Sequence, residues 1–241
     1  MNDIIRATLL AALLSAACAS VKPAPDSKVA NPSLRSTLLK MEAADQKVRM
    51  QALAQFTKTG DQMNIPMLWI LLRMNSVDGT NTKRMRGIID KYGWPGKTLV
   101  GADGAGAAFL LVQHADRDTA FQKKCLPLLQ KAAEEGEASK SDMAYLTDRI
   151  RVADGQKQLY GTQCSWKDTL VEMDPIEDSL HVDERRAEVG LEPLDVYMRA
   201  TKFALRHGSS VGSMMNPGSP AYDSLKEIYG PYFKDEDSLE K

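Results

Sequence analysis

Residues 33–56 read SLRSTLLKMEAADQKVRMQALAQF, and the spacing of their apolar side chains decides the fold class. Leu34, Leu38, Met41, Val48, Ala52 and Phe56 recur at three- and four-residue steps, the period of one face of an α-helix. The stretch predicts a long amphipathic helix. Asp45 interrupts that face, one turn from Met41 and from Arg49. A carboxylate on an apolar stripe must find a partner, which makes Asp45 a candidate ligand-binding residue.

The same period continues outward from this helix. Helices are expected over about Ile65–Met74 and about Asn81–Tyr92, the second ended by Gly93 and Pro95. A helix over about Asp103–Ala115 carries Gly104, Gly106 and a run of alanines in its first half. Such a bare surface predicts close approach of another backbone or a ligand. Thr119–Glu134 follows, with a kink expected at Pro127, and the capping box Ser139-x-x-Asp142 opens a helix to about Ala153. The period then changes. Gln158–Trp166 is rich in β-formers and Thr169–Met173 follows a short turn, so a β-hairpin is expected near 157–174. Helices return at Asp183–Val189, with Asp183 as N-cap, and at about Leu194–Leu205. The expected fold is mainly α: one helical domain over 33–207 with one β-hairpin. A Gly/Ser/Pro-rich linker and a short amphipathic segment, Tyr222–Tyr229, complete 208–241.

The chain has 241 residues, a net charge of −1, 43% apolar and 26% charged residues. That balance excludes a nucleic-acid binder resting on bulk charge, and it excludes a disordered chain. Residues 1–18 read as a signal peptide: the apolar run Ala7–Ala17 would span only about 16 Å as a helix, too short for a membrane. Ser15-Ala16-Ala17-Cys18 is similar to the lipobox of bacterial lipoproteins, which implies lipidation of Cys18. Ala17-x-Ala19 fits ordinary signal cleavage instead, and an uncleaved cytoplasmic start is the third alternative. Residues 19–32 contain three prolines and no apolar period, the character of a tether. The expectation is an exported protein of the cell envelope, either a membrane-anchored lipoprotein or periplasmic. Its partners would be the membrane, through the lipid, and an envelope ligand or protein. Cys125 and Cys164 could pair after export, but the apolar neighbours of Cys125 favour an unbridged buried thiol.

Several familiar signatures fail. Gly96-Lys97-Thr98 lacks the first glycine of a phosphate loop, and Gly101–Gly106 lacks a preceding strand. There is no His-x-x-x-His or Cys-x-x-Cys, so no metal or cofactor is expected, and the one Gly-x-Ser-x-Gly spacing, Gly208–Gly212, falls in a Gly/Ser/Pro-rich stretch with no strand before it, so no serine-hydrolase elbow is expected. What remains is a set of polar residues. His114 shares a helix face with Ala107, Leu110 and Leu111, and Asp148 lies opposite the stripe Met143, Leu146, Ile150; both are candidate catalytic residues. Arg149 stands beside Asp148. In the expected strand Gln158 and Tyr160 alternate onto one face, with Gln163 on the other, and Arg185 and Arg186 offer a clamp for a carboxylate. Convergence of His114, Asp148, Gln158 and Tyr160 on one pocket, beside Asp45 or an arginine, would satisfy several buried polar groups together. Two functions compete: a binding or interaction domain whose polar residues are structural, and an envelope hydrolase or lyase using His114 with an acidic partner.

A resemblance runs through many of these positions. Asp45-Gln46-x-x-Arg49, Asn81-Thr82, Gly93-Trp94-Pro95-Gly96, Gln113-His114-Ala115-Asp116, Tyr145-Leu146-Thr147-Asp148-Arg149 and Gln158-x-Tyr160-Gly161-Thr162-Gln163 are followed by Val182-Asp183-x-Arg185-Arg186. In this order, over about residues 34–203, they resemble the bacterial domain of unknown function 6624. The resemblance implies a domain boundary and a list of positions, and it implies no chemistry.

Overall fold

The computed structural model describes residues 29–59, 64–167 and 170–206, together with residue 227. The expected signal segment with Cys18, most of the expected tether, the expected linker over 208–220 and nearly all of Tyr222–Tyr229 lie outside the described residues. Within them the fold is mainly α, with seven helices and one two-stranded hairpin.

Two long helices, α1 (Pro32–Thr59) and α2 (Ile65–Tyr92), pack side by side as a helical hairpin. Asn31 Oδ1 accepts the Leu34 N–H at 3.0 Å and so caps α1. Asn64 does the same for α2, accepting from Met67 N–H at 2.9 Å. The sequence suggests two helices here, Ile65–Met74 and Asn81–Tyr92, and the structure joins them. The polar run between them contains no proline. Its Asp78 turns inward to Arg49, and Thr80 and Thr82 return hydroxyl bonds to Ser76 O and Asp78 O. The predicted stop holds: Gly93, at φ +70°, donates its N–H to Ile89 O.

Helix α3 (Lys97–Gln113) contains a break at Gly101, φ +78°, so the longer piece begins where the sequence places it. Its bare face receives the chain's own side chains. A Cβ on Gly104 would lie 2.8 Å from Val100 Cβ, and Arg35 of α1 reaches across to Asp103 at 2.8 Å. Helices α4 (Thr119–Glu134) and α5 (Lys140–Ala153) pack together beside it. Both faces of α5 are buried: Leu146 and Ile150 on one, Tyr145, Asp148 and Arg149 on the other.

The hairpin is shorter than expected. Strands β1 (Cys164–Lys167) and β2 (Leu170–Met173) pair antiparallel, with Cys164 opposite Met173. Residues 158–163 are not strand, so Gln158 and Tyr160 do not alternate along one. Gly161 sits at φ +65°, and Asp148 draws the N–H groups of Leu159, Tyr160 and Thr162 toward itself, away from any ladder. After a 3₁₀ turn (Ser179–His181) come α6 (Val182–Glu188) and α7 (Leu194–Arg206). Asp183 is not the cap of α6; its Oδ1 accepts the Leu194 N–H at 2.8 Å, at the start of α7. Cys125 and Cys164 are both buried and unbridged.

The apolar interior has two parts. The larger joins Leu34, Leu38 and Met41 of α1, Met85 and Ile89 of α2, and the inner faces of α3, α4, α5 and α7. The smaller lies at the far end of the α1/α2 hairpin, where Val48, Ala52 and Leu53 meet Met67, Leu71 and Met74. Between them runs a polar layer.

Candidate active site

The polar layer is Asp45 and Arg49 from α1, with Asp78 and Asn81 from α2. His114, the residue that ends α3, arrives at the same level. Asp45 occupies the stripe position between Met41 and Val48, so its carboxylate is directed inward by the packing of its neighbours. It is buried with three partners. Asp45 Oδ2 lies 2.8 Å from His114 Nδ1, Asp45 Oδ1 accepts from Arg49 Nη1 at 2.6 Å, and Gln46 Nε2 reaches Oδ2 at 3.2 Å. Arg49 Nη1 also donates to Asp78 Oδ1 at 3.0 Å. The acidic partner of His114 is therefore Asp45, not Asp148.

The charges in this layer tune one another. Burial works against ionisation of Asp45, but His114 and Arg49 outweigh it and hold the carboxyl below its ordinary range. Burial and the Arg49 guanidinium depress His114, and Asp45 only partly offsets them. The pair at neutral pH is thus a carboxylate and a neutral imidazole. Since Nδ1 faces a carboxylate, Nδ1 carries the proton and Nε2 carries the lone pair. That Nε2 is buried and has no hydrogen-bond partner among the described residues, as have both amide atoms of Gln113 and Nδ2 of Asn81.

His114 also lines a cavity of about 360 Å³ between α2 and the loop after α3. Asp78, Thr82, Lys83 and Arg86 form its α2 wall, and Arg117 and Asp118 its loop wall. Arg86 pairs with Asp118, and Asp78 with Arg49. Lys83 and Arg117 have no ion-pair partner among the described residues, so the cavity carries an excess of positive charge.

A second polar cluster surrounds the loop over 158–163. Asp148 Oδ1 accepts from Leu159 N–H at 2.6 Å and Tyr160 N–H at 3.1 Å; its Oδ2 accepts from Thr162 N–H and Thr162 Oγ1 at 3.1 and 3.0 Å. Gln158 is equally occupied, donating to Gln163 O and Asp174 O and accepting from Gln163 N–H. Tyr160 contributes its backbone: its N–H goes to Asp148 and its carbonyl accepts from Arg186 Nη1 at 2.7 Å. Arg186 is fully buried, bonds Glu192 O as well and stacks over the Tyr197 ring. Arg185 binds the carbonyls of Leu159, Glu177 and Asp178 and lies 3.6 Å from the Asp178 carboxylate. These groups hold the chain's own backbone.

The structure thus places the candidate residues in two clusters, and no bond joins His114 to Asp148 or to residues 158–163 among the described residues. Arg149 is the link between the clusters. It forms a two-pronged pair with Asp116, at 2.6 Å through both Nε and Nη2, and its Nη1 reaches Gln163 Oε1 at 3.3 Å. Its charge is also one of those that depress His114. Sequence reasoning missed Arg49, Asp78, Lys83, Arg86 and Arg117 as site residues. The one visible signal was the i, i+4 spacing of Asp45 and Arg49.

A helical domain with a buried Asp–His pair beside a cationic cavity is the class that fold and site define. The chain belongs to a family of unknown function, DUF6624, whose model matches residues 32–207. No curated protein and no solved structure is significantly similar to it. Among the described residues no helix is long and apolar enough to cross a membrane, and no group of three His, Cys, Asp or Glu side chains is placed to hold a metal ion.

Proposed function

We propose that the protein is an acid–base enzyme, a hydrolase or lyase, acting on an anionic substrate held in the cavity beside His114. The observation that carries this reading is the bare Nε2 of His114. It belongs to a residue that lines the cavity, while Asp45 occupies the other ring nitrogen. Nε2 serves as general base toward a substrate O–H or C–H, or toward a water molecule. Asp45 orients the ring and stabilises the imidazolium formed when the proton is taken, and Arg49 keeps Asp45 ionised. Lys83 and Arg117 attract the anionic group. A purely structural role accounts well for Asp148, Gln158 and Arg186, whose polar atoms are nearly all satisfied internally. It leaves His114 Nε2 without a purpose.

Nitrogen NMR of the His114 ring tests the reading without a known substrate. The expected result at neutral pH is a neutral ring with the proton on Nδ1. A proton on Nε2, or an imidazolium, removes the base. Export and lipid anchoring at Cys18 are proposed alongside, supported by the apolar run Ala7–Ala17 and the proline-rich segment after it.

A further inference from the structure

The first half of α2 exposes four large apolar side chains: Ile65 at 73%, Leu68 at 47%, Trp69 at 67% and Leu72 at 51% relative accessibility. They do not scatter. At the helical repeat, Ile65, Leu68 and Leu72 fall within about 60° of Gly79 and Lys83 around the axis, with Trp69 beside them. Gly79 and Lys83 line the cavity that holds His114. The apolar stripe and the cavity rim therefore share one face of one helix, about 10 Å apart along the axis with the exposed Ser76 between them. At the rim, a Cβ on Gly79 would meet no heavy atom within 4 Å, so the surface there is open. Leu68 to Gly79 spans about 16 Å along the axis, within the reach of a long alkyl chain. Beyond Gly79 the character changes to cationic, with Lys83 and Arg117 free of ion pairs among the described residues.

An apolar track aligned with a cationic cavity on the same helix face fits one kind of molecule. We infer that the substrate is an amphiphile: its anionic head sits in the cavity by His114, and its alkyl chain lies along Ile65, Leu68, Trp69 and Leu72. The inference rests on the acid–base reading of the cavity and names the substrate class for it. A small hydrophilic anion would leave the stripe unused. A neutral apolar chain would leave Lys83 and Arg117 unanswered.

The test measures binding by calorimetry to the full chain carrying Cys18→Ser, with monomeric dodecyl phosphate, inorganic phosphate and neutral dodecyl maltoside as probes. Dodecyl phosphate should bind at least about 100-fold tighter than inorganic phosphate, the equivalent of burying three to four methylenes. The Leu68→Ser/Leu72→Ser variant should bring that ratio below about 10-fold and leave inorganic phosphate binding unchanged. Lys83→Ala should weaken both phosphates. Because Leu68 and Leu72 are exposed, the double variant should melt close to the parent, and the melt is recorded for each protein. Equal binding of dodecyl phosphate and the maltoside, or no gain over inorganic phosphate, overturns the proposal. So does co-flotation with phosphatidylglycerol vesicles without monomer binding, which makes the stripe a bilayer-docking face. Self-association abolished by the double variant would assign the stripe to a second copy and overturn it equally. The His114 tautomer is read on the same samples. An Nδ1–H ring without amphiphile binding sinks the substrate class and spares the acid–base reading; amphiphile binding with the wrong tautomer does the reverse.

Discussion

Asp148 offers the sharpest test of how the loop over 158–163 is held. Its two oxygens satisfy the N–H groups of Leu159, Tyr160 and Thr162 and the hydroxyl of Thr162. In Asp148→Asn one oxygen becomes an amide NH2. With the remaining oxygen placed toward Leu159 and Tyr160, the Thr162 N–H faces a donor. The Thr162 hydroxyl can rotate away, but the backbone N–H cannot. A buried donor left without a partner costs about 1–3 kcal/mol, and the opposed donors place the substitution at about 2–3 kcal/mol. In Asp148→Ala all three N–H groups lose their acceptor, so the cost should be about twice as large. For a domain of this size 1 kcal/mol corresponds to roughly 2–4 °C, so Asp148→Asn should melt about 4–12 °C below the parent. Far-UV circular dichroism gives the melt, and hydrogen exchange should show the Thr162 amide losing protection. A melt within about 1 °C of the parent, with the Thr162 amide still protected, refutes the clamp. Parent-like stability with loss of turnover would instead return Asp148 to the chemistry.

The remaining predictions concern charge, thiols and location. Burial, with Asp45 and Asp103 nearby, pushes Glu42 from an ordinary 4.5 up to about 7. The folded chain therefore binds an extra proton between these values, and the stability from it, full below 4.5, is lost as pH rises through 7. Glu42→Gln should remove that loss and gain about 1–3 kcal/mol at pH 8 in denaturant titrations, with little gain at pH 4. His114 runs the other way: its folded value is below the ordinary 6.5, so its contribution is present above 6.5 and lost as pH falls. In the Glu42→Gln background, stability should decline as pH falls below 6.5, and adding His114→Gln should flatten that decline. Burial pushes the thiols of Cys125 and Cys164 up to about 12, so both should resist a thiol reagent in the folded chain and react on denaturation without reductant. Membrane fractionation should show the parent in the membrane pellet and Cys18→Ser released; a parent chain that is already soluble refutes the anchor.

Much of the fold was legible because helices announce themselves by period. The stripe from Leu34 to Phe56 predicts α1 almost to its ends, and Gly93 marks the end of α2 as expected. What misled the reading was tertiary compensation. Asn75–Thr80 breaks the apolar period because it is mostly polar and carries Gly79, yet Asp78 finds Arg49 on the neighbouring helix and the helix continues. Gln158–Gln163 has strand composition, but a carboxylate from α5 captures its N–H groups, and no local rule announces such a capture. At the site, Asp45 and His114 were visible as interruptions of apolar stripes. Their pairing was not, because the partners lie far apart in sequence and only the packing of α3 on α1 sets which carboxylate faces the ring. The cationic wall was hidden for another reason: Lys83, Arg86 and Arg117 look like ordinary surface residues until the fold gathers them round one hollow.

The division of the interior into two apolar parts has a consequence for motion. The outer end of the α1/α2 hairpin rests on a small core of its own, separated from the main one by the charged layer at Asp45, Arg49 and Asp78. Parts of a protein with separate cores open as separate cooperative units. The hairpin tip should therefore exchange its amide hydrogens as one block, sooner than the rest of α1 and α2, with the hinge of that opening at the level of His114. A molecule lying along the stripe would touch both sides of the hinge. Its binding would slow exchange across the tip and join two foldons into one.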